Sequence, residues 1–131
     1  MKNIGILLCL TLLLMACSGN KKIEVGQRTS IDVKKEFNAK KVLLGEEVNA
    51  KFTVKNSGEY PLIISEVKGS CSCTVADYPE EPIAPGETGI IKATVKTENA
   101  TVGKLVKEIR VIANTDPSIT KLKIMADVIR K

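Results

Sequence analysis

The fold is decided by the stretch Val48-Asn49-Ala50-Lys51-Phe52-Thr53-Val54-Lys55. Apolar side chains occupy every second position of this stretch, and polar or charged side chains occupy the positions between them. Successive side chains of a β-strand point to opposite faces of a sheet, so this spacing separates a core face from a solvent face. The stretch therefore predicts a strand with one buried face.

The same alternation recurs at three later places, namely Ile91–Val95, Ile109–Ala113 and Leu122–Val128. An unbroken apolar run, Leu62-Ile63-Ile64, predicts a strand that is covered on both faces. A first strand is expected near Ile31–Phe37, which brings the total to six or seven. No segment has the spacing of an amphipathic helix.

Turn signals separate these segments, and they are Asn56-Ser57-Gly58, Pro85-Gly86 and Asn114-Thr115-Asp116-Pro117. Pro85 presets its own φ and Gly86 accepts a positive φ, which predicts a type II turn. Short strands at this spacing in about 100 residues predict an all-β fold, an immunoglobulin-like antiparallel β-sandwich of about seven strands. A small barrel is the alternative.

The composition fits one small domain that does not bind nucleic acid. The chain has 131 residues, no Trp and only two Phe and two Tyr, so Val, Ile, Leu and Ala must build the core. The formal charge is +5, but the lysines are scattered over outward-facing strand positions. Nucleic-acid partners need clustered basic residues or aromatic stacking platforms, and neither is visible.

The first residues predict export. Residues 4–16 form an apolar run after Lys2, and thirteen helical residues span about 20 Å, short of the roughly 30 Å core of a bilayer. Residues 1–16 are therefore predicted to be a cleaved signal peptide. Its removal takes away one basic and no acidic residue, which leaves a net charge of +4.

The end of this run predicts a lipid anchor. Leu14-Met15-Ala16-Cys17 resembles the lipobox of bacterial lipoproteins, in which the chain is cut before the cysteine and acyl chains such as palmitate are attached to it. Two acyl chains on Cys17 would hold the protein stably on a membrane. Ser18 at the next position resembles sorting to the outer membrane, facing the periplasm. Residues 17–29 are then a flexible tether and 30–131 the folded domain.

Cys71 and Cys73 are the one pair of residues with distinctive chemistry. In a strand their Cα atoms would lie about 6.6 Å apart, at the outer edge of disulfide geometry, although a bulge beside Gly69 would bring them closer. The oxidising exported compartment favours a disulfide, and reduced thiols in the core are a second possibility. A soft-metal site and a redox couple stay open as alternatives.

Other chemistry is not expected. The sequence has no His, which excludes catalytic triads built on His and leaves a four-coordinate zinc site without enough ligands. The nine glycines are dispersed and form no phosphate-binding loop. We therefore expect no enzyme activity, no cofactor and no metal.

Four motifs together resemble a known family, and they are Phe52–Gly58, Pro61–Ile64, Cys71–Val75 and Pro82–Glu87. The chain over about residues 35–129 is similar to the bacterial domain of unknown function 1573, which is common in Bacteroidetes and often follows a lipoprotein signal. The resemblance implies an immunoglobulin-like sandwich, brings no established activity, and places the family's cysteine pair at Cys71 and Cys73. The residue between them is more often Gly in the family and is Ser72 here.

These observations lead to two functional hypotheses. The favoured one is a membrane-tethered, non-catalytic domain of the cell envelope that has a structural role or contacts an envelope protein, because sandwiches of this kind offer loops and sheet edges to partners. The alternative is metal binding or thiol redox chemistry through Cys71 and Cys73.

Overall fold

A computed structural model describes residues 26–131, and the predicted signal peptide, Cys17 and most of the predicted tether lie outside this range. Within it the chain forms eight β-strands and no helix. The strands are β1 (Ile31–Val33), β2 (Glu36–Leu43), β3 (Glu47–Asn56), β4 (Ile64–Gly69), β5 (Thr74–Asp77), β6 (Thr88–Lys96), β7 (Gly103–Ala113) and β8 (Ile119–Ile129). The part of the chain described contains no helix long and apolar enough to cross a membrane.

The strands build two four-stranded sheets that pack as a sandwich. Sheet one has the order β1-β3-β6-β5 and sheet two the order β2-β8-β7-β4. All neighbours are antiparallel except β2 and β8, which run parallel. The predicted immunoglobulin-like β-sandwich is confirmed.

The strand count exceeds the expectation because the first predicted strand is divided and because β5 lies in a stretch with no strand of its own in the prediction. The predicted strand Ile31–Phe37 is two strands, because Lys34 and Lys35 carry the chain from sheet one to sheet two. The Lys123 N–H donates to the Lys35 carbonyl at 2.7 Å, which fixes this crossing against β8. Alternation of side chains does not reveal such a change of sheet, because both halves keep the same period.

The core lies between the two sheets and follows the alternation read from the sequence. In β3 the residues alternate strictly between exposed and buried, from Glu47 to Asn56. Burying one large aliphatic side chain contributes about 1.5–3 kcal/mol, so aliphatic residues alone can stabilise a sandwich of this size. The core side chains that are most completely buried are Val54, Leu62, Ile91, Val95, Ile109, Val111, Leu122, Ile124 and Val128.

The apolar run Leu62-Ile63-Ile64 is not one strand covered on both faces. Leu62 forms an isolated bridge with Ile83, Ile64 opens β4, and Ile63 between them is only half-buried. The side-chain carbonyl of Asn114 accepts a hydrogen bond from the Ile63 N–H at 2.7 Å. A side chain therefore takes the place of a neighbouring strand at this residue.

The loops of the sandwich lie at two ends, which we call the entry end and the far end. The entry end is the one where residues 26–30 join the fold, and it also contains residues 56–63, 84–87 and 114–118. The far end contains residues 44–46, 70–73 and 97–102. The ten residues of β3 connect the two ends, a rise of about 30 Å.

Candidate functional site

Cys71 and Cys73 are bonded to each other in the turn between β4 and β5, at the far end. Their Cα atoms lie 5.3 Å apart, closer than the spacing expected in a strand. The reason is a tight turn, in which the Thr74 N–H donates to the Cys71 carbonyl at 3.2 Å, rather than a bulge in a strand. While they are bonded, the two sulfurs offer no thiolate to a soft metal.

Both neighbouring sheets hold this turn in place. The Ser70 N–H donates to the Glu108 carbonyl at 2.9 Å in sheet two, and the Lys96 N–H donates to the Cys73 carbonyl at 2.9 Å in sheet one. Gly69 is required because a Cβ at this position would lie 2.6 Å from the Cβ of Thr74. The disulfide turn therefore links the two sheets at one edge of the sandwich.

The hydroxyl of Thr74 faces the disulfide. Its Oγ1 lies 3.6 Å from the Cys71 Sγ and 4.0 Å from the Cys73 Sγ, and the residue is buried. Bonded sulfurs carry no hydrogen, so the hydroxyl is the donor in these contacts, and a disulfide sulfur is a weak acceptor. Within residues 26–131, the Thr74 hydroxyl makes its hydrogen-bond contacts with these two sulfurs.

A cleft of about 340 Å³ opens beside Cys73. It is lined by Ser72, Cys73, Lys96, Glu98, Asn99, Ala100 and Lys107. Lys107 is half-buried and occupies the inward-facing register of β7, between Leu105 and Ile109. Two lysines and one glutamate give the cleft a net positive charge.

A second surface feature, which we call the groove, lies on the outer face of sheet two towards the far end. Its floor includes Val106, which is 58% exposed, and Met125, its partner across the β7–β8 ladder. The groove measures about 520 Å³, and its charged residues are Lys40, Lys41, Lys104 and Asp127. It forms where the β2–β8 register shifts between Asn38 and Lys41.

Local backbone geometry explains this shift. Lys40 has a φ of 60°, which is uncommon for a residue other than glycine, and its N–H donates to the Asn38 side-chain carbonyl at 2.8 Å. A residue in this conformation interrupts strand pairing and bends the strand. Sequence reasoning missed the groove, because the bulge depends on pairing between residues far apart in the chain.

The entry end contains a buried polar hub that is structural. Asn56 is fully buried, and its side-chain nitrogen donates to the carbonyls of Tyr60 and Ile83 at 2.7 and 2.9 Å. Its side-chain oxygen accepts from the Thr29 hydroxyl at 2.7 Å and from the Gly58 N–H at 3.1 Å. Every hydrogen-bonding group of this side chain is used, so the hub has no group left for a ligand.

Asn114 makes a second hub beside the first. Its side-chain nitrogen donates to the carbonyls of Gln27 and Pro61 at 3.1 and 2.9 Å. The Thr29 N–H donates to the Asn114 carbonyl at 2.9 Å, so the folded unit includes Thr29, the last residue of the predicted tether. The two hubs attach the incoming chain to the sandwich.

The residues described give no sign of a metal centre. No group of three or more His, Cys, Asp or Glu residues between 26 and 131 is arranged to hold a metal ion. Of the residues singled out in the sequence, Cys71 and Cys73 lie together, and the predicted lipidation residue Cys17 lies outside the described range.

These features define the class of the molecule as a small immunoglobulin-like β-sandwich with a disulfide-closed turn at one end. The chain belongs to the family described as Protein of unknown function (DUF1573), whose model matches residues 20–128. A search of curated protein sequences gives no match.

Solved structures support the fold. The chain is similar to a protein of unknown function from Porphyromonas gingivalis W83, with a TM-score of 0.68 and 18% identity, over 83% of this chain and 51% of that one. The chain thus spans about half the length of that protein.

Two further structures share the sandwich. One is PapD-like domain 7 of human CEP192, with a TM-score of 0.63 and 8% identity, over 85% of this chain and 92% of that one. The other is the periplasmic chaperone SfaE, with a TM-score of 0.52 and 11% identity, over 75% of this chain and 56% of that one. At these identities the similarity establishes the fold alone.

Proposed function

We propose that this protein is a lipid-anchored module of the cell envelope, held on the outer membrane by Cys17, that binds an envelope protein without catalysing a reaction. The observation that supports this proposal most directly is the groove on sheet two. It is an exposed apolar surface with a basic rim, and it lies in the half of the sandwich away from the chain entry.

The point where the tether joins the sandwich supports an orientation in which the groove faces away from the membrane. Residues 17–26 extend over at most about 35 Å, and they join the sandwich at the entry end. An acylated Cys17 therefore holds the entry end nearer to the membrane. The far end, about 30 Å further along β3, is then free to point away from the membrane surface, where a partner has access to it.

The chemistry of the groove defines the partner. Val106 and Met125 offer an apolar floor, while Lys40, Lys41 and Lys104 outnumber the single Asp127. Large exposed apolar residues with a charged rim are typical of interaction sites. The complementary ligand is an acidic protein segment that carries an apolar side chain.

Cross-linking in cells tests the groove. A photo-reactive amino acid replaces Val106 in the full chain, and the matched control replaces Ile90, which is 49% exposed on a strand of sheet one. We expect a discrete adduct from position 106 that is lost when Lys40, Lys41 and Lys104 are all changed to Glu. Equal adducts from both positions, or an adduct that survives the charge reversal, would contradict the proposal.

The anchor is tested separately. We expect Cys17→Ser to move the protein from the membrane fraction to the soluble fraction, and globomycin to block cleavage of the precursor. The adduct at position 106 tests the groove whatever the outcome of fractionation. A Cys17→Ser protein that stays on the membrane would contradict the anchor alone.

A further inference from the structure

We propose that the Cys71–Cys73 disulfide is a thiol–disulfide exchange site whose substrate is a vicinal dithiol on another exported protein. Three features meet there, namely a very small disulfide ring, a buried hydroxyl directed at both sulfurs and a cleft lined by two lysines. This activity goes beyond partner binding through the groove and does not depend on it.

The first feature is the size of the ring. The two cysteines are separated by Ser72 alone, so the bond closes a loop of three residues. A disulfide stabilises a fold mainly by restricting the unfolded chain, and this restriction is smallest for the shortest loops. The fold therefore gains little from the bond, and its presence at an accessible turn calls for another role.

The second feature is the Thr74 hydroxyl. In the oxidised state this buried donor faces two weak acceptors, the bonded sulfurs, at 3.6 and 4.0 Å. A thiolate is a much stronger acceptor, because hydrogen bonds to charged groups are the stronger ones. Opening the bond thus improves the hydrogen bond of a hydroxyl that is already in position, which stabilises the reduced state.

The third feature is the cleft beside Cys73. Lys107 is half-buried in the inward-facing register of β7, between the apolar residues Leu105 and Ile109, and it lines the cleft. Together with Lys96 it outweighs the charge of Glu98, so an anionic sulfur released at Cys73 meets a net positive surface. The cleft also leaves the Cys73 side of the bond open to an incoming thiolate.

The reaction proceeds in two exchanges. A thiolate of the partner attacks the Cys73 Sγ, the bond to Cys71 breaks, and the electron pair leaves on the Cys71 Sγ, which accepts the Thr74 hydrogen bond. The partner's second thiolate then attacks its own sulfur in the mixed disulfide and releases the Cys73 thiolate beside Lys107. The partner dithiol is oxidised to a disulfide, and the cysteine pair takes up its two electrons. The two protons that the partner's thiols lost on ionising are returned through solvent when the Cys71 and Cys73 thiolates become thiols.

Equilibration of the purified full-length protein in glutathione redox buffers tests this proposal. Alkylation and mass spectrometry of the peptide that contains Cys71 and Cys73 give the exchange constant. We expect Thr74→Val to shift the equilibrium towards the disulfide by about tenfold, as one lost hydrogen bond to a charged group implies. Thr74→Ser keeps the hydroxyl and should stay within about twofold of wild type.

A second pair of variants tests the cleft on its own if Thr74→Val does not fold. Lys107→Met should shift the equilibrium in the same direction by about threefold, whereas Lys92→Met on the exposed face of sheet one should not change it. A disulfide that stays oxidised in every glutathione buffer would overturn the proposal. Identical constants for the Val and Ser variants, or for the two lysine variants, would overturn it as well.

Discussion

The two ends of the sandwich handle polar groups in opposite ways. At the entry end, the buried Asn56 and the half-buried Asn114 have side chains that are hydrogen-bonded on both their oxygen and nitrogen atoms. At the far end, the hydroxyl of Thr74 faces a disulfide, and Lys107 occupies an inward register beside an open cleft.

This difference separates structural polar residues from functional ones. A buried polar group that is fully hydrogen-bonded is explained by the fold, because an unsatisfied one would cost about 1–3 kcal/mol. Around the disulfide turn, by contrast, the Thr74 hydroxyl contacts weak sulfur acceptors and the half-buried Lys107 lines an open cleft. We therefore assign the fixing of the chain to the entry end and the chemistry to the far end.

The far end also contains one structural polar residue, Thr97, whose hydrogen bonds we call the latch. Thr97 is fully buried, and its hydroxyl donates to the Glu46 carbonyl at 2.6 Å and accepts from the Gly45 N–H at 2.9 Å. This latch holds the β2–β3 turn and does not contact the disulfide. The β2–β3 turn is therefore held by contacts separate from the two backbone hydrogen bonds that hold the disulfide turn.

The largest effect is expected at the entry-end hub. Asn56→Ala removes four side-chain hydrogen bonds and leaves the buried Thr29 hydroxyl without the acceptor it has in wild type, so we expect it to destabilise the protein by about 3 kcal/mol. Asn49→Ala is the matched control, because Asn49 lies on the exposed face of the same strand and should cost no more than about 0.5 kcal/mol. Urea unfolding measures both, and equal losses would remove the distinction between hub and surface.

The same substitution at each end sharpens the comparison. Gly58→Ala would place a Cβ 2.6 Å from the Ser30 backbone nitrogen and against the Thr29 hydroxyl, which disturbs the Asn56 hub. We expect a loss of about 2 kcal/mol in urea unfolding, within the range for overpacking. In Gly69→Ala the new Cβ would contact the side chain of Thr74 instead. We expect this variant to change the glutathione exchange constant, whereas Gly58→Ala should leave that constant unchanged. A Gly69→Ala protein with wild-type exchange would count against the role of Thr74.

The smallest of these effects is expected from the disulfide itself. Changing both Cys71 and Cys73 to Ala should lower the free energy of unfolding by no more than about 1.5 kcal/mol, since the loop contains three residues. Reductant should lower the stability of wild type by a similar amount and leave the double variant unchanged. A loss above that for Asn56→Ala would show that the bond is a main support of the fold.

The fold was largely predictable because one period governs most of it. The alternation that begins at Val48 identified β3, and it identified β6, β7 and β8 in the same way. The type II turn at Pro85-Gly86 is confirmed, with a φ of 80° at Gly86 and a hydrogen bond from the Glu87 N–H to the Ala84 carbonyl at 3.0 Å. The change of sheet at Lys34 and Lys35 was not predictable, since it depends on β8, nearly ninety positions away.

Two polar residues near the ends of the sandwich, Asn56 and Lys107, can be recognised as inward-facing from the alternation alone. Asn56 follows Val48, Ala50, Phe52 and Val54 in the inward register, so the alternation itself places it in the core rather than in a turn. Lys107 precedes Ile109 in the inward register of β7 in the same way. A polar residue on a core-facing position predicts either a hydrogen-bonded hub or a site, and the contacts that decide between them come from other strands.

Hydrogen exchange tests most directly whether the disulfide turn can open while the entry end holds the fold. Amide exchange is compared in the native protein before and after reduction of the Cys71–Cys73 bond. We expect faster exchange confined to residues 69–74 and to the facing parts of β6 and β7, with the amides of Asn56, Leu62 and Asn114 unchanged. Faster exchange at those three amides after reduction would contradict the division of roles between the two ends.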